Sequence, residues 1–305
     1  MVLEILGEND GLQYKVYPTT NIAVLSTGDG LVEPSTGHLS RGQIRDSNRA
    51  MLLAAAVQHH CKVVDLGIAK DDEEYQGRIL DKAFASGINI LITSGGVSMG
   101  DKDFIRPLLE NCRNSKIFKI LSNALVSVIK PGKPFTFAEI GSQSTESKIL
   151  AFGLPGNPVS SSVCFHLFVV PAIRQLAGWT NPHHLRGLIA MPIFDRVSLM
   201  NVPYVLPMNF SFAESTGHQR SSRLLSMKSA NALLEFPATG SVVSAGTPLA
   251  AIIISNLRPM DFGKNHISSD STFTLPGIKS DKTTTDSSGG ADLRVAIYTY
   301  TFICN

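Results

Sequence analysis

The chain has 305 residues, 43% hydrophobic and 17% charged, with 27 Lys and Arg against 25 Asp and Glu. That length suits about two domains, and the apolar content supports packed cores, which excludes global disorder. A net charge of +2 lacks the gathered basic excess of a nucleic-acid binder, no apolar run approaches the ~20 residues that cross a bilayer, and Cys61, Cys112, Cys164 and Cys304 are too scattered for a zinc knuckle or a disulfide framework.

Residues 1–19 open with MVLEILGEND, which carries acids and lacks the basic-then-apolar order of a secretory signal. The expectation is a reduced, cytoplasmic protein with no membrane span and no nucleic-acid partner. Asn21 to Leu25 (NIAVL) predicts a buried strand. Asp46 to His60 predicts a helix, with Asp-Ser-Asn at its start and Met51, Leu52, Ala55 and Ala56 on its apolar face. A second strand is predicted at Cys61 to Leu66. Asp72 to Ser86 reads as the next helix, opened by acids and apolar at Ile79, Leu80, Ala83 and Phe84. Ile88 to Thr93 predicts a strand, Asp103 to Asn111 a short helix, Ile149 to Gly153 a strand, and Pro158 to Leu176 a long apolar helix. Alternation of this kind over residues 20–180 predicts an α/β domain, a mainly parallel doubly wound sheet with helices on both faces.

From about Leu185 the pattern changes to short strands and turns, clearest at Ala230 to Leu234 and Leu249 to Ile254, and predicts a small β domain over 186–257. Residues 258–292 read as a linker: 11 of the 23 residues from Ile267 to Gly289 are Ser or Thr, too little apolar surface to offset ordering. Leu293 to Thr299 (LRVAIYT) then reads as a strand, and residues 293–305 as the opening of a further domain.

Chemistry is expected at the strand carboxyl ends, where ligands of such sheets bind. Three turns rich in small residues follow predicted strands: Ser26-Thr27-Gly28-Asp29, Ser94-Gly95-Gly96-Val97-Ser98, and Leu154-Pro155-Gly156-Asn157-Pro158-Val159-Ser160. Glycine lets backbone approach a ligand, and free N–H groups at a helix start attract phosphate; the plainer role of any one of them is ordinary turn chemistry. Asp71 and Asp103 follow strand or loop ends, where two carboxylates could hold Mg²⁺ against phosphate oxygens or simply cap the helices behind them. Lys130-Pro131-Gly132-Lys133-Pro134 presents two ammonium groups on a stiff loop, fit for an oxyanion or else a solvated basic turn. His59-His60 and His183-His184 lack the spacing of a helical metal pair, and neither a G-x-S-x-G elbow nor a Walker lysine is present.

Taken in order, Ser26-Thr27-Gly28-Asp29, Gly42-Gln43-Ile44-Arg45-Asp46-Ser47-Asn48-Arg49, Asp65-Leu66-Gly67-Ile68, Thr93 to Gly100, Lys130 to Pro134 and Gly153 to Ser160 resemble the motifs of the molybdenum insertase (molybdopterin molybdenumtransferase) family, which includes bacterial MoeA and the E domain of gephyrin. Glu214 to Gln219 and Ser221 to Asn231 resemble its C-terminal β domain. The order of β domain, Ser-rich linker and LRVAIYT resembles the plant fusion of an insertase with a pterin-adenylylating domain, here cut short at both ends.

The resemblance implies insertion of molybdenum from molybdate into adenylylated molybdopterin with release of AMP, dependent on Mg²⁺. It implies Asp71 and Asp103 as catalytic and Mg²⁺-binding acids and Lys130 and Lys133 as the basic loop. Thr27, Asp29, Ser94, Gly95, Gly96, Ser98, Gly156, Asn157 and Ser160 would surround the pterin or nucleotide, with Ser221 contributed by the β domain. It also implies a homodimer built through domains ahead of this start. Four departures stand beside it: those preceding domains are missing, Gly30 replaces an acid, Leu121 to Ser127 is inserted before the lysine loop, and residues 187–210 lack an expected Arg-Pro-Glu-Phe segment, so the β domain is expected to be incomplete. A pterin-binding or scaffold role without turnover, and an adenylyltransferase, are the alternatives.

Overall fold

The computed structural model describes residues 3–6, 13–97, 103–112, 115–117, 129–141, 148–184, 186–189, 209–210, 213–216, 220–236, 249–255 and 293–300. Ser98, the 121–127 insertion, the 258–292 linker and residues 190–208 lie outside them. The chain begins with an antiparallel pair, β1 (Leu3–Leu6) and β2 (Gln13–Val16). It continues through β3 (Asn21–Thr27), the short parallel pair β4 (Leu31–Val32) and β5 (Ile44–Arg45), α1 (Ser47–Gln58), β6 (Lys62–Ala69), α2 (Glu73–Ala85), β7 (Ile90–Ser94) and α3 (Ile105–Asn111). Next come β8 (Ser115–Ile117), β9 (Ile129–Lys130), β10 (Thr136–Gly141) and β11 (Lys148–Leu154).

Six of these strands form one sheet in the order β6-β3-β7-β11-β10-β8. The first four run parallel, and β10 is antiparallel to both β11 and β8. Successive side chains of a strand face opposite sides, and here both sides are covered. Ile22, Val24, Ile90, Ile92, Phe152 and Leu154 pack with Leu52 and Ala56 of α1 on one side. Ala23, Leu25, Leu91 and Ala151 pack with Leu80 and Ala83 of α2 and Ile105 and Leu109 of α3 on the other. Double coverage explains why β3 and β7 read as unbroken apolar runs rather than alternating ones. Asp46 and Asp72, at the predicted helix starts, are the caps of α1 and α2: their carboxylates accept from Arg49 N (3.1 Å) and Tyr75 N (2.6 Å).

The long apolar helix is interrupted. α4 (Pro158–Cys164) passes through a π turn (Phe165–Val169) into α5 (Val170–Leu176). A continuous α ladder would need the Pro171 N–H to meet Leu167 O; proline has none, and its ring crowds that carbonyl. In the π turn Val170 N donates to Phe165 O instead of His166 O. His184 takes up the released His166 carbonyl: its Nε2 lies 2.5 Å from His166 O and its Nδ1 3.0 Å from Ile253 O. Contrary to the sequence reading, Pro158–Leu176 is long and apolar enough by composition to cross a membrane. In the fold its faces are covered, by the central sheet through Phe165, Val169 and Ile173 and by the C-terminal sheet through Val159 and Val163.

That second sheet contains β12 (Arg186–Ile189), β13 (Asn209–Phe210), β14 (Ala213–Ser215), β15 (Ala232–Phe236), β16 (Leu249–Ile253) and β17 (Leu293–Tyr300) in the order β13-β12-β16-β15-β17-β14, with β9 on β17. It is mixed rather than purely antiparallel. Leu233 and Ile252 seal it against Val159 and Val163. Leu293–Tyr300, expected to open a further domain, is a strand here, but it pairs in parallel with β15 and β14, where an apolar strand satisfies its backbone against an available edge.

Two histidines near the π turn are held neutral by the fold. Burial, with Arg174 adding to it, lowers the pKa of His59 to about 4, and burial with His184 alongside lowers that of His166 to about 3. Both folded values lie below the unfolded value of about 6.5, so the unfolded chain binds more protons as pH falls. The stabilising contribution is complete above pH 6.5 and is lost toward pH 4. Thermal unfolding followed by circular dichroism should therefore give a midpoint that is flat above pH 7 and declines from pH 6.5 to 4, with a shallower decline in His166→Gln.

Candidate ligand site at the strand carboxyl ends

The carboxyl ends of β6, β3, β7 and β11 lie side by side along one edge of the central sheet. At the β6–β3 end, Gly28 N donates to Ala69 O (3.0 Å). Two aspartates then hold each other's backbone: Asp29 N donates to Asp71 Oδ2 (3.2 Å), and Asp71 N donates to Asp29 Oδ1 (3.1 Å). The helix-capping alternative weighed for Asp71 falls to its neighbour Asp72, so Asp71 is left to the edge. Asp103 likewise is not the cap of α3, which begins after Phe104 without a side-chain cap. Ile105 N, two residues on, donates to Gly96 O (3.1 Å), which ties the Asp103 segment to the end of β7.

The turn after β7 depends on glycine at two positions. Gly95 and Gly96 have φ of +88° and +66°; a Cβ would lie 2.7 Å from Thr27 O at Gly95 and 2.7 Å from Thr27 Oγ1 at Gly96. Only a residue without a side chain can be left-handed and this close to its neighbour. Thr27 Oγ1 is buried beneath the pair and has no hydrogen-bond partner among the described residues. Gly95 N donates to Leu154 O (3.1 Å), joining this turn to the end of β11.

Beyond β11, Asn157 precedes α4 without a side-chain cap bond, and its carbonyl accepts from Ser161 N (2.9 Å). Ser160 is buried within the first turn of α4. The C-terminal domain reaches this point, because Val159 N donates to Ser221 O (3.0 Å). Lys133 is exposed, three residues before Thr136, which pairs with Gly153. Because β10 runs antiparallel, the loop before it emerges at the same edge as the end of β11. Lys130 pairs through its backbone with Thr299 of β17. Gly132 O accepts from Cys164 Sγ (3.5 Å), fastening the lysine loop to α4. The edge thus runs from aspartates at β6 and β3, through glycine turns at β7 and β11, to Lys133 at β10. Four strand spacings separate its ends, about 19 Å.

Two neighbours in the Asp46-Ser47-Asn48-Arg49 run organise this edge, and the sequence places them only at a helix start and in a family motif. Asn48 Nδ2 donates to both Ser94 Oγ and Gly156 O, each at 2.8 Å. Arg49 is paired with Asp46 (3.1 Å), Asp65 (2.5 Å) and Glu33 (2.5 Å). Burial opposes its charge, but the bonds to Asp65, Asp46 and Glu33 outweigh that and raise its pKa. Asp46 also accepts from Ser26 Oγ (3.1 Å), so one ion cluster joins β3, the loop over residues 28–46, α1 and β6. The available signal was a polar pair on an otherwise apolar helix start. Among the described cysteines, burial drives the thiol pKa of Cys61 up to about 11 and raises those of Cys112 and Cys164 as well, which leaves them poor nucleophiles at neutral pH.

The side chain of Arg49 is 8% exposed and that of Asp46 1%, against 46% for Asp65 and 56% for Glu33. Arg49→Met should cost about 3–5 kcal/mol in denaturant unfolding, because it leaves the Asp46 carboxylate buried without its cation. Asp65→Asn and Glu33→Gln, at exposed ends of the cluster, should cost under about 1 kcal/mol each.

Residues 23–175 match the family model described as "Probable molybdopterin binding domain", and residues 203–254 match the MoeA C-terminal region, its domain IV. The chain is 34% identical over 252 residues to a molybdopterin molybdenumtransferase of Haemophilus influenzae, covering 80% of this chain and 58% of that protein. It is 37% identical over 223 residues to molybdenum cofactor synthesis protein cinnamon of Drosophila melanogaster (71% and 35% covered) and 34% identical over 284 residues to gephyrin of Dictyostelium discoideum (81% and 38%). It therefore spans between about a third and three-fifths of the length of these relatives. Among solved structures, a MoeA protein from Pyrococcus horikosii shares the fold, with a TM-score of 0.55 at 22% identity over 78% of this chain and 55% of that one. The parallel sheet, its glycine turns and the C-terminal sheet docked at Val159 are those of a chain that belongs to the molybdopterin-binding domain family, in the MoeA branch that carries the C-terminal domain IV.

Proposed function

We propose that this chain inserts molybdenum from molybdate into adenylylated molybdopterin and releases AMP. The observation that carries the reading is the polarity of the site edge: carboxylates at one end, hydrogen-bonding turns in the middle and Lys133 at the other, all along the edge where the parallel strands have their carboxyl ends. A ligand with phosphates at one end and an oxyanion to receive at the other has matching needs.

The residues present fit Mg²⁺. Among the described residues no ready-made cage of three or more His, Cys, Asp or Glu exists. What the edge offers is hard carboxylate oxygen, and Mg²⁺ is commonly held by one or two carboxylates together with substrate phosphates and water. The reciprocal backbone bonds of Asp29 and Asp71 occupy Asp71 Oδ2 and leave Asp71 Oδ1 without a donor among the described residues. In this reading Asp71 and Asp103 hold the cation, which when bound neutralises phosphate charge.

The protein's own groups do the rest. Gly95 and Gly96 let the ligand approach the backbone, and Ser94 and Ser98 donate to its oxygens. Gly156 and Asn157 shape the wall before α4, Ser160 supports that wall from within the helix, and Ser221 closes it from the C-terminal domain. Lys133, with Lys130 on the same loop, attracts molybdate as a point charge.

Purified chain supplied with adenylylated molybdopterin, molybdate and Mg²⁺ should release AMP. Asp103→Asn should lower turnover by about 10²-fold while changing pterin affinity less than about threefold, as expected where the acid acts through the cation. Lys133→Ala should raise the KM for molybdate about tenfold. Pterin binding without AMP release would favour a binding role instead; neither binding nor release would remove the reading.

A further inference from the structure

Asn48 is the second residue of α1. It lies on neither of the two turns it touches, is 7% exposed, and spends both protons of its amide on them. One goes to Ser94 Oγ at the end of β7, and the other to Gly156 O in the turn after β11, each at 2.8 Å. The orientation of the amide follows from chemistry, since Gly156 O can only accept and the atom facing it must be the nitrogen. The same bond sets the polarity of the serine. A hydroxyl that accepts from Asn48 keeps its own proton to donate, and among the described residues no acceptor for that proton is found. Asn48 Oδ1 likewise has no donor there.

We propose that Asn48 is a positioning residue for the ligand: it holds the β7 and β11 turns in register and fixes the Ser94 hydroxyl as a donor toward an oxyanion of the bound molecule. The inference rests on the functional reading for the identity of that oxyanion, a phosphate or molybdate oxygen, but not for the tie between the turns. Gly95 N, bonded to Leu154 O, and Ser161 N, bonded to Asn157 O, lie on either side of the tie and report on it without any ligand.

Asn48→Asp is nearly isosteric and reverses the chemistry. Its carboxylate cannot donate to Gly156 O, and it accepts the Ser94 proton, turning that donor away from the ligand. Two measurements test the proposal. The first is amide hydrogen exchange of the free chain. Asn48→Asp and Asn48→Leu should each speed exchange at Gly95 and Ser161 about tenfold or more, with the amides of Ile90 to Ile92 unchanged. Unaltered exchange at Gly95 and Ser161 would overturn the tie, and a rise spread over the whole sheet would mean a general loss of stability and overturn it as well.

The second is a double-mutant cycle read by calorimetry with AMP and with molybdate in separate titrations. Ser94→Ala in the native background should weaken binding of one of them about tenfold, and that probe identifies the oxyanion. In the Asn48→Asp background the same change should weaken binding by less than about twofold, because the donor has already been lost. Additive losses would overturn the positioning role. If neither probe binds the native chain, the functional reading fails with the donor role, while the exchange measurement still decides whether Asn48 holds the turns.

Discussion

The inner strands of the central sheet, β3 and β7, are buried on both faces, and this constraint governs where anything polar can go. Ile22, Val24, Ile90 and Ile92 are covered by α1 and the Pro158–Leu176 helical segment, and Ala23, Leu25 and Leu91 by α2 and α3. Strands packed in this way offer no room for charged side chains along their length, since a buried charge without a partner is strongly disfavoured. Polar chemistry is therefore driven to the strand ends. There the parallel arrangement brings four chain reversals to one edge, and the antiparallel β10 brings the lysine loop to the same edge from the other direction.

Closeness at that edge has to be built. Glycines 95 and 96 allow the β7 turn to settle on Thr27, and one asparagine amide joins that turn to the next. Behind them the Arg49 cluster connects β3, α1, β6 and the intervening loop through three carboxylates. The ion cluster and the amide tie leave adjacent residues of the same helix turn, one pointing to the carboxylates and the other to the β7 and β11 turns. A single short segment thus organises both the scaffold of the edge and its open face.

The second junction has a different origin. Pro171 prevents a regular helix, the π turn that accommodates it releases the His166 carbonyl, and the His184 ring sits between that carbonyl and Ile253 O of the C-terminal sheet, a neutral ring donating to one of the two. With Val159 N on Ser221 O and the apolar contacts of Val159 and Val163, this brings the C-terminal sheet to the same end of α4 as the β11 turn. The second domain is consequently placed beside the candidate site by helix irregularity as much as by apolar burial.

Local pattern was enough for the strands NIAVL, INILIT and ILAFG, for α1 and α2 with their aspartate caps, and for the turns where small residues follow strands, because period, capping and turn chemistry are properties of neighbouring residues. It was not enough for β10, which follows the lysine loop and whose identity depends on its partner β11, or for the partner of LRVAIYT, which depends on which sheet edge is available. The roles of Asn48 and Arg49 were equally hidden: each reaches groups 16 to 108 positions away along the chain, and nothing in a local window distinguishes a polar residue that caps from one that ties. Sequence by itself determined the inner strands and main helices of the α/β domain, the turn chemistry at their ends and the family motifs. Which aspartate faces which, which hydroxyl accepts from Asn48 and which helix carbonyl is released were decided only when the chain folded, because hydrogen bonds and ion pairs between distant residues form in space and leave no period to read.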